Sequence, residues 1–291
     1  MRVVLLLLML STATPAQVQQ QPIYGNINGE IIRETPHFQI YAEHSYVPVD
    51  LDWLQTEIET IHAYLTERLG VSTTERFALT FRPPDTAPCP IRGLARFDEP
   101  VAQSIVFADP NLSRAQLSGI LAHEIAHLFH ARVLKAGTAD VNLGEGFATW
   151  AAGKYWQAWQ GTPADNVRTF RREGRYIALE EYYRETRPDT NSADCLRNRD
   201  RRYNSWAAFI DFLIADYGFE KFRQLLGSKE ELREVKPTIP NIIFIDPATF
   251  RENAIVLDPT MIVGGAPVAD FNGVYGLSLS ELEKAWLAKL N

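Results

Sequence analysis

The residues best suited to chemistry are His-Glu-Ile-Ala-His at positions 123–127 and Glu145, eighteen residues beyond the second histidine. On a helix, His123 and His127 stand one turn apart on the same face, so two imidazoles can share one metal ion. A carboxylate from Glu145 on a second element completes a three-ligand set with one position left for water, the arrangement of a catalytic zinc. Zinc bound in this way lowers the pKa of its water from about 15.7 toward about 7, which makes hydroxide available near neutrality. Glu124 leans over the same metal without ligating it. Its expected role is the general base that takes the water proton and later passes it to the leaving amine. A His-x-x-x-His pair alone can arise by accident, and Glu124 alone could be a solvated charge. Glu145, within Leu-Gly-Glu-Gly-Phe-Ala and read as lying just ahead of a helix, turns the pair into a three-donor metal site.

Those donors need elements to hold them. Ser113 followed by Gln116 is a capping-box pattern, and Leu117, Ile120 and Leu121 then open an apolar run, so the helix with both histidines is predicted to begin there. It is expected to reach about Lys135 and stop at Gly137. Upstream, residues 38–42 and 77–81 read as strands, the second alternating as if half-buried and closed by Pro83 and Pro84. Between them Leu54, Ile58, Ile61 and Leu65 recur at helical spacing over 51–69, with Gly70 as the stop. A short strand over 104–107 is expected to offer its edge to an extended peptide. After Glu145 the pattern turns helical, over 148–160, 206–217, 219–226 and 280–290, the last with Ser280 and Glu283 as a capping box. The fold class is therefore α+β. An N-terminal mixed-sheet lobe over 23–136 carries the metal helix, and a mostly helical lobe over 137–291 supplies Glu145. A metal between two lobes would sit at the floor of a cleft. Residues 237–269, with five prolines and little periodicity, read as a long connection.

Composition narrows the classes. The 291 residues are 46% hydrophobic and 22% charged, ordinary globular values, and the net charge of −7 offers no basic surface for nucleic acid. The four arginines within 197–202 read as a short solvated cluster. Arg2, the apolar run at 3–10 and the small residues at 11–16 form an export signal with a cut after Ala13 or Ala16, which implies a secreted or periplasmic protein. Eight apolar residues fall short of the roughly 20 that span a bilayer, so no stable membrane anchor is expected. Cys89 and Cys195 are the only cysteines; an oxidising compartment permits one disulfide, and the sequence leaves open whether they lie close enough.

His123-Glu-Ile-Ala-His127, followed by Leu143-Gly-Glu145-Gly-Phe-Ala148, resembles the gluzincin metallopeptidases, and within them the peptidase MA-like proteins related to the aminopeptidase N branch and, more broadly, the thermolysin-type zincins. The third ligand of that group lies in a Trp-Leu-x-Glu-Gly-x-Ala motif; here Asn142 stands in place of the Trp, at a packing position. Tyr203-Asn-Ser-Trp-Ala-Ala-Phe-Ile is similar to the helix that carries the catalytic tyrosine of these enzymes, and residues 276–286 to their closing helix. The resemblance implies a zincin-like fold, zinc as cofactor and a peptide or protein substrate. Two rival spacings fail. A metzincin needs Gly at 130 and His at 133, where this chain has His130 and Val133, and Gly137-Thr-Ala-Asp140 is one residue short of the aspzincin pattern. Residues 93–97 do not match the motif with which relatives bind a free amino terminus, which weakens an aminopeptidase reading.

Tyr203 is the candidate oxyanion donor. His130 lies a further turn along the helix and is expected to pack rather than ligate, whereas Thr149, one turn beyond Glu145, is placed to orient a ligand histidine. The expected function is a zinc-dependent peptidase, more an endopeptidase than an aminopeptidase, with His123, His127 and Glu145 as ligands, Glu124 as base and Tyr203 as oxyanion donor. A non-catalytic binding module on the same scaffold, or a hydrolase of a non-peptide amide or ester, stands as the alternative.

Overall fold

The computed structural model describes residues 29–43, 46, 49–85, 90–96, 103–134, 140–184, 194–227 and 269–290. The expected export signal, Cys89, the predicted helix stop at Gly137 and nearly all of the 237–269 stretch lie outside them. Five strands form one sheet in the order β1-β2-β3-β5-β4: β1 (Glu30–Glu34), β2 (Phe38–Ala42), β3 (Phe77–Arg82), β4 (Gly93–Arg96) and β5 (Gln103–Phe107). Strands β2, β3 and β5 run parallel, while β1 and β4 pair antiparallel at the two edges. The middle strands have neighbours on both sides and elements packed on them, so 77–81 is buried at every position rather than alternating, Thr80 included. The expected free edge at 104–107 is corrected in the same way. β5 is an interior strand, and β4 covers it and takes the edge.

Helix α1 (Leu51–Leu69) makes the crossover between β2 and β3 and matches its sequence pattern end to end. The Asp50 side chain accepts from the Asp52 and Trp53 amides, Leu54, Ile58, Ile61 and Leu65 are buried, and Gly70 closes the helix. Helix α2 (Arg114–Leu128) begins with the predicted Ser113–Gln116 capping box and is buried at every residue from Leu117 to Leu128. It lies along β4 and β5 on one side and against α1 on another. A helix buried all round has no amphipathic stripe, which fits its place at the centre of the molecule. Its α-helical part ends earlier than expected, at Leu128, and passes into a π-helical turn over Phe129–Val133.

Downstream come α3 (Val141–Ala152), α4 (Lys154–Gln160), α5 (Pro163–Arg172), α6 (Glu181–Arg184), α7 (Asp194–Tyr217), α8 (Phe219–Gly227), α9 (Phe271–Tyr275) and α10 (Leu279–Lys289). The predicted helix over 148–160 is two helices, broken at Gly153 in a positive-φ conformation. The first of them starts earlier than predicted, so Glu145 lies inside it and not ahead of it. Helix α7 also begins earlier than 206, and Tyr203 is in mid-helix. The last helix is capped by Ser278 and Glu281 instead of Ser280 and Glu283. Glu283 instead turns inward, where it accepts from the Tyr176 hydroxyl and the Leu179 amide. The arginines of 197–202 are not a solvated set either. Arg199 donates to Pro90 O at 2.7 Å, Arg201 to Arg175 O at 3.3 Å, and Arg202 is buried with its guanidinium over the Tyr182 ring. Buried side chains from both sides of position 136 belong to one core cluster, from Phe38 to Leu290. Among the described residues no helix is long and apolar enough to cross a membrane.

Candidate metal centre

Three helices deliver the site. α2 and α3 lie against each other, and α7 packs along α3. The two histidines come from α2, which is tied to the sheet where the Ser104 hydroxyl donates to Glu124 O at 3.1 Å. Glu145 comes from the second turn of α3. Asp140 caps that helix, accepting from the Leu143 amide at 3.1 Å, and its other carboxylate oxygen takes the Tyr183 hydroxyl at 2.6 Å and the Ala269 amide at 3.0 Å. The glycine after Glu145 has a packing reason, since a Cβ at Gly146 would run into Trp206 of α7. α3 and α7 can therefore approach closely, and Tyr203, one turn before Trp206, is brought against the candidate ligands.

The donor atoms converge. His123 Nε2 lies 3.0 Å from Glu145 Oε2 and 3.2 Å from His127 Nε2, and His127 Nε2 lies 3.5 Å from Glu145 Oε2. A tetrahedral zinc with bonds of about 2.0–2.2 Å has ligand atoms about 3.3–3.6 Å apart, so the triangle is that of a three-ligand zinc face drawn slightly tight. All three residues are buried, and they form a group of potential metal ligands whose donor atoms lie within 4.8 Å of one another. Zinc is thus compatible with the donor set in number, atom type and spacing. The Thr149 hydroxyl sits 3.2 Å from His123 Nδ1, where it can accept the Nδ1 proton and leave Nε2 bare for a metal. His130 stays out of the set, buried with its ring 5.1 Å from that of Phe147.

The two histidines are shifted in opposite directions: against the effect of burial, the charge and hydrogen bond of Glu145 lift His127 above its usual pKa. Burial holds the His123 imidazole below its usual pKa, which favours the neutral form a metal binds. Burial pushes Glu145 up, but the charge and hydrogen bonds of His127 and His123 outweigh it and hold the carboxyl well below the usual range. Glu124 is different. Burial drives it up to about 8, and among the described residues no hydrogen bond engages its carboxyl. Its head lies against Gly93 of β4, where any Cβ would collide with it. The Tyr203 ring stacks on His123, centroids 5.3 Å apart and planes 12° apart. Burial and then the Glu145 charge push its phenol well above 10, so it remains a proton donor.

Two adjoining cavities meet at this centre, sharing Gly93, Glu124 and Tyr203. One, of about 190 Å³, runs toward Gln116 and Ile120 on α2, and the other, of about 170 Å³, toward His127 and His130. The second follows the edge strand β4 from Gly93 to Ala95, and the first meets it at Gly93. All five residues singled out from sequence are therefore brought together.

Sequence reasoning missed Gly93 and Asp140. Nothing local marks Gly93, because its role depends on a carboxylate thirty-one residues away. Asp140 did carry a signal, a capping residue directly before an apolar run, which the glycines at 144 and 146 obscured by looking like helix breakers. Cys195 is disulfide-bonded, and the only other cysteine in the sequence is Cys89. No family model matches this chain, and no curated protein matches it.

Proposed function

We propose that the chain is a zinc-dependent metallopeptidase of gluzincin type on a zincin-like fold, which works outside the cytoplasm and hydrolyses peptide bonds. The observation that carries this reading is the convergence of His123 Nε2, His127 Nε2 and Glu145 Oε2, with an unengaged Glu124 carboxyl beside them. These three residues would hold the ion. Zinc, when bound, supplies Lewis acidity that acidifies water and polarises the carbonyl of the scissile bond. The other roles fall to side chains and backbone. Glu124, buried beside the three donors, is placed for proton transfer: its carboxylate takes a proton from the attacking water and hands it to the leaving nitrogen. The Tyr203 phenol donates to the oxygen that gains charge in the tetrahedral transition state, a contribution of about 2.7–4 kcal/mol for one such donor. The outer edge of β4 offers backbone groups to an extended chain, which favours a peptide over an isolated amide or ester. Location outside the cytoplasm draws support from the apolar leader at 3–10 and from the disulfide at Cys195.

The test is Glu124→Gln in the full chain. It keeps stoichiometric zinc and loses about 10²–10⁴-fold in hydrolysis of a mixed peptide library. Full hydrolysis by this variant, or hydrolysis by the parent protein that resists a chelator, would sink the reading.

A further inference from the structure

Glycines flank Glu145 on both sides, and each lowers helix propensity. The first turns of α3 are therefore weak on their own, and contacts from outside the helix have to seat Glu145. That seat is polar and buried. The Asp140 carboxylate meets donors from three parts of the chain: the Leu143 amide of α3 at 3.1 Å, the Tyr183 hydroxyl of α6 at 2.6 Å and the Ala269 amide ahead of α9 at 3.0 Å. The Asn142 side chain hydrogen-bonds the same phenol, so Tyr183 holds the start of α3 at two positions. The position that carries Trp in the related motif is thus occupied here by a polar residue with a polar partner. Behind this cluster the Tyr183 ring lies edge-on to Trp206 at 5.7 Å, and Phe271 of α9 lies 6.4 Å from the same indole. Trp206 is also the side chain that Gly146 meets, so α6 and α9 brace the α7 residue that rests beside Glu145. A helix cap needs only one oxygen, which a serine can supply. Asp140 commits its second oxygen to Tyr183 and Ala269, and that is more than capping requires.

We infer that Asp140 and Tyr183 are positioning residues for the candidate ligand Glu145: they lock the first turn of α3 to α6 and to the chain entering α9, and so fix where the Glu145 carboxylate stands against His123 and His127. This rests on the metal-site part of the peptidase reading. Among the described residues Tyr183 lines neither cavity and has no hydrogen bond to the three donors, so its effect on a metal passes through Asp140, Asn142 and α3.

The experiment is titration of the metal-free full chain with zinc and, separately, with cobalt, the parent beside Tyr183→Phe and Asp140→Ser. Tyr183→Phe keeps the ring on Trp206 and deletes one hydroxyl. Asp140→Ser keeps a cap for Leu143 and deletes the oxygen that meets Tyr183 and Ala269. Both variants are expected to bind zinc about tenfold more weakly than the parent, the scale for a residue that supports a metal ligand. The visible spectrum of the cobalt-loaded protein should change in both as the carboxylate ligand shifts. Native circular dichroism and cooperative urea unfolding of each metal-free protein show that the lost affinity belongs to folded chain, and where one variant fails to fold the other decides. A merely structural role lowers the unfolding midpoint but leaves zinc affinity and the cobalt spectrum of the folded variant as in the parent; that result in either variant overturns the inference. With peptide cleavage intact in the parent, it would leave the peptidase reading standing. Weaker zinc binding by both variants of a chain that cleaves no peptide would uphold the inference and defeat the peptidase reading, and a parent protein that takes up no zinc would overturn both.

Discussion

Among the described residues two histidine pairs each lie beside a glutamate, one pair buried and the other with His37 part-exposed, and they are built for opposite ends. In the first, His123 and His127 are one turn apart on α2, their rings are nearly perpendicular at 84°, and both Nε2 atoms point to the Glu145 carboxylate. In the second, His62 of α1 and His37 before β2 lie face to face at 3.8 Å and 12°, and Glu59 takes up His37 through its amide and Nδ1. His62 spends its ring on Phe38, Phe77 and Phe129, and among the described residues its Nε2 has no hydrogen-bond partner. Stacked rings direct their nitrogens outward in parallel planes, whereas crossed rings can bring two nitrogens to one point. The same residue types therefore make a candidate metal site or a packing unit according to ring orientation, which their backbone positions set.

Four substitutions or conditions would break or sharpen that contrast. The largest effect belongs to His127→Ala, which removes a donor and takes peptide hydrolysis to background with loss of bound zinc, whereas His37→Ala leaves zinc content unchanged; metal analysis of both proteins decides it. Next comes Tyr203→Phe, which keeps the ring stacked on His123 and deletes only the donor. It should lower kcat by about 10²–10³-fold with zinc retained, and unchanged turnover would remove Tyr203 from the mechanism.

The third concerns pH. Burial, and then the neighbouring His37, depress His62 to about 4. In the unfolded chain His62 takes up a proton near 6.5, so between about 6.5 and 4 the unfolded state binds more protons, and folded stability falls as pH drops through that window. The His62 contribution to that loss is on the order of 2 kcal/mol, and it is read as the difference between the parent protein and His62→Phe, which preserves the aromatic packing, in urea unfolding at pH 7.5 and 4.5, because Glu124 and His123 titrate in both proteins. The smallest effect is that of Thr149→Val. With the His123 Nδ1 partner gone, zinc affinity should fall by about tenfold, the low end for a group that orients a ligand, because a hydroxyl is neutral. An unchanged zinc affinity in a competition titration would show that packing alone holds the ring.

How much of this was legible in the sequence follows from how local each feature is. The capping box at Ser113, the stripe and stop of α1 and the spacing of His123, Glu124 and His127 depend on neighbours within a turn or two, and they stand where the sequence put them. Glu145 was found as a residue but placed wrongly on its element, because Gly144 and Gly146 lower helix propensity locally while contact with α7 requires a small residue at 146. The edge of the sheet was misread at β5, since four residues of β4 carry too little pattern to announce a strand that covers another. The arginines at 199, 201 and 202 looked solvated because their partners are backbone carbonyls and a ring far away in sequence. Nothing in the sequence told the two histidine pairs apart except the spacing of one of them.

The central claim is that three donors at α2 and α3 form one zinc site, and zinc titration of the metal-free chain by calorimetry tests it most directly. The expected result is one equivalent bound by the parent protein and by His37→Ala, and none at comparable affinity by Glu145→Ala. Full-strength binding by Glu145→Ala, or a parent protein that takes up no zinc, would contradict it.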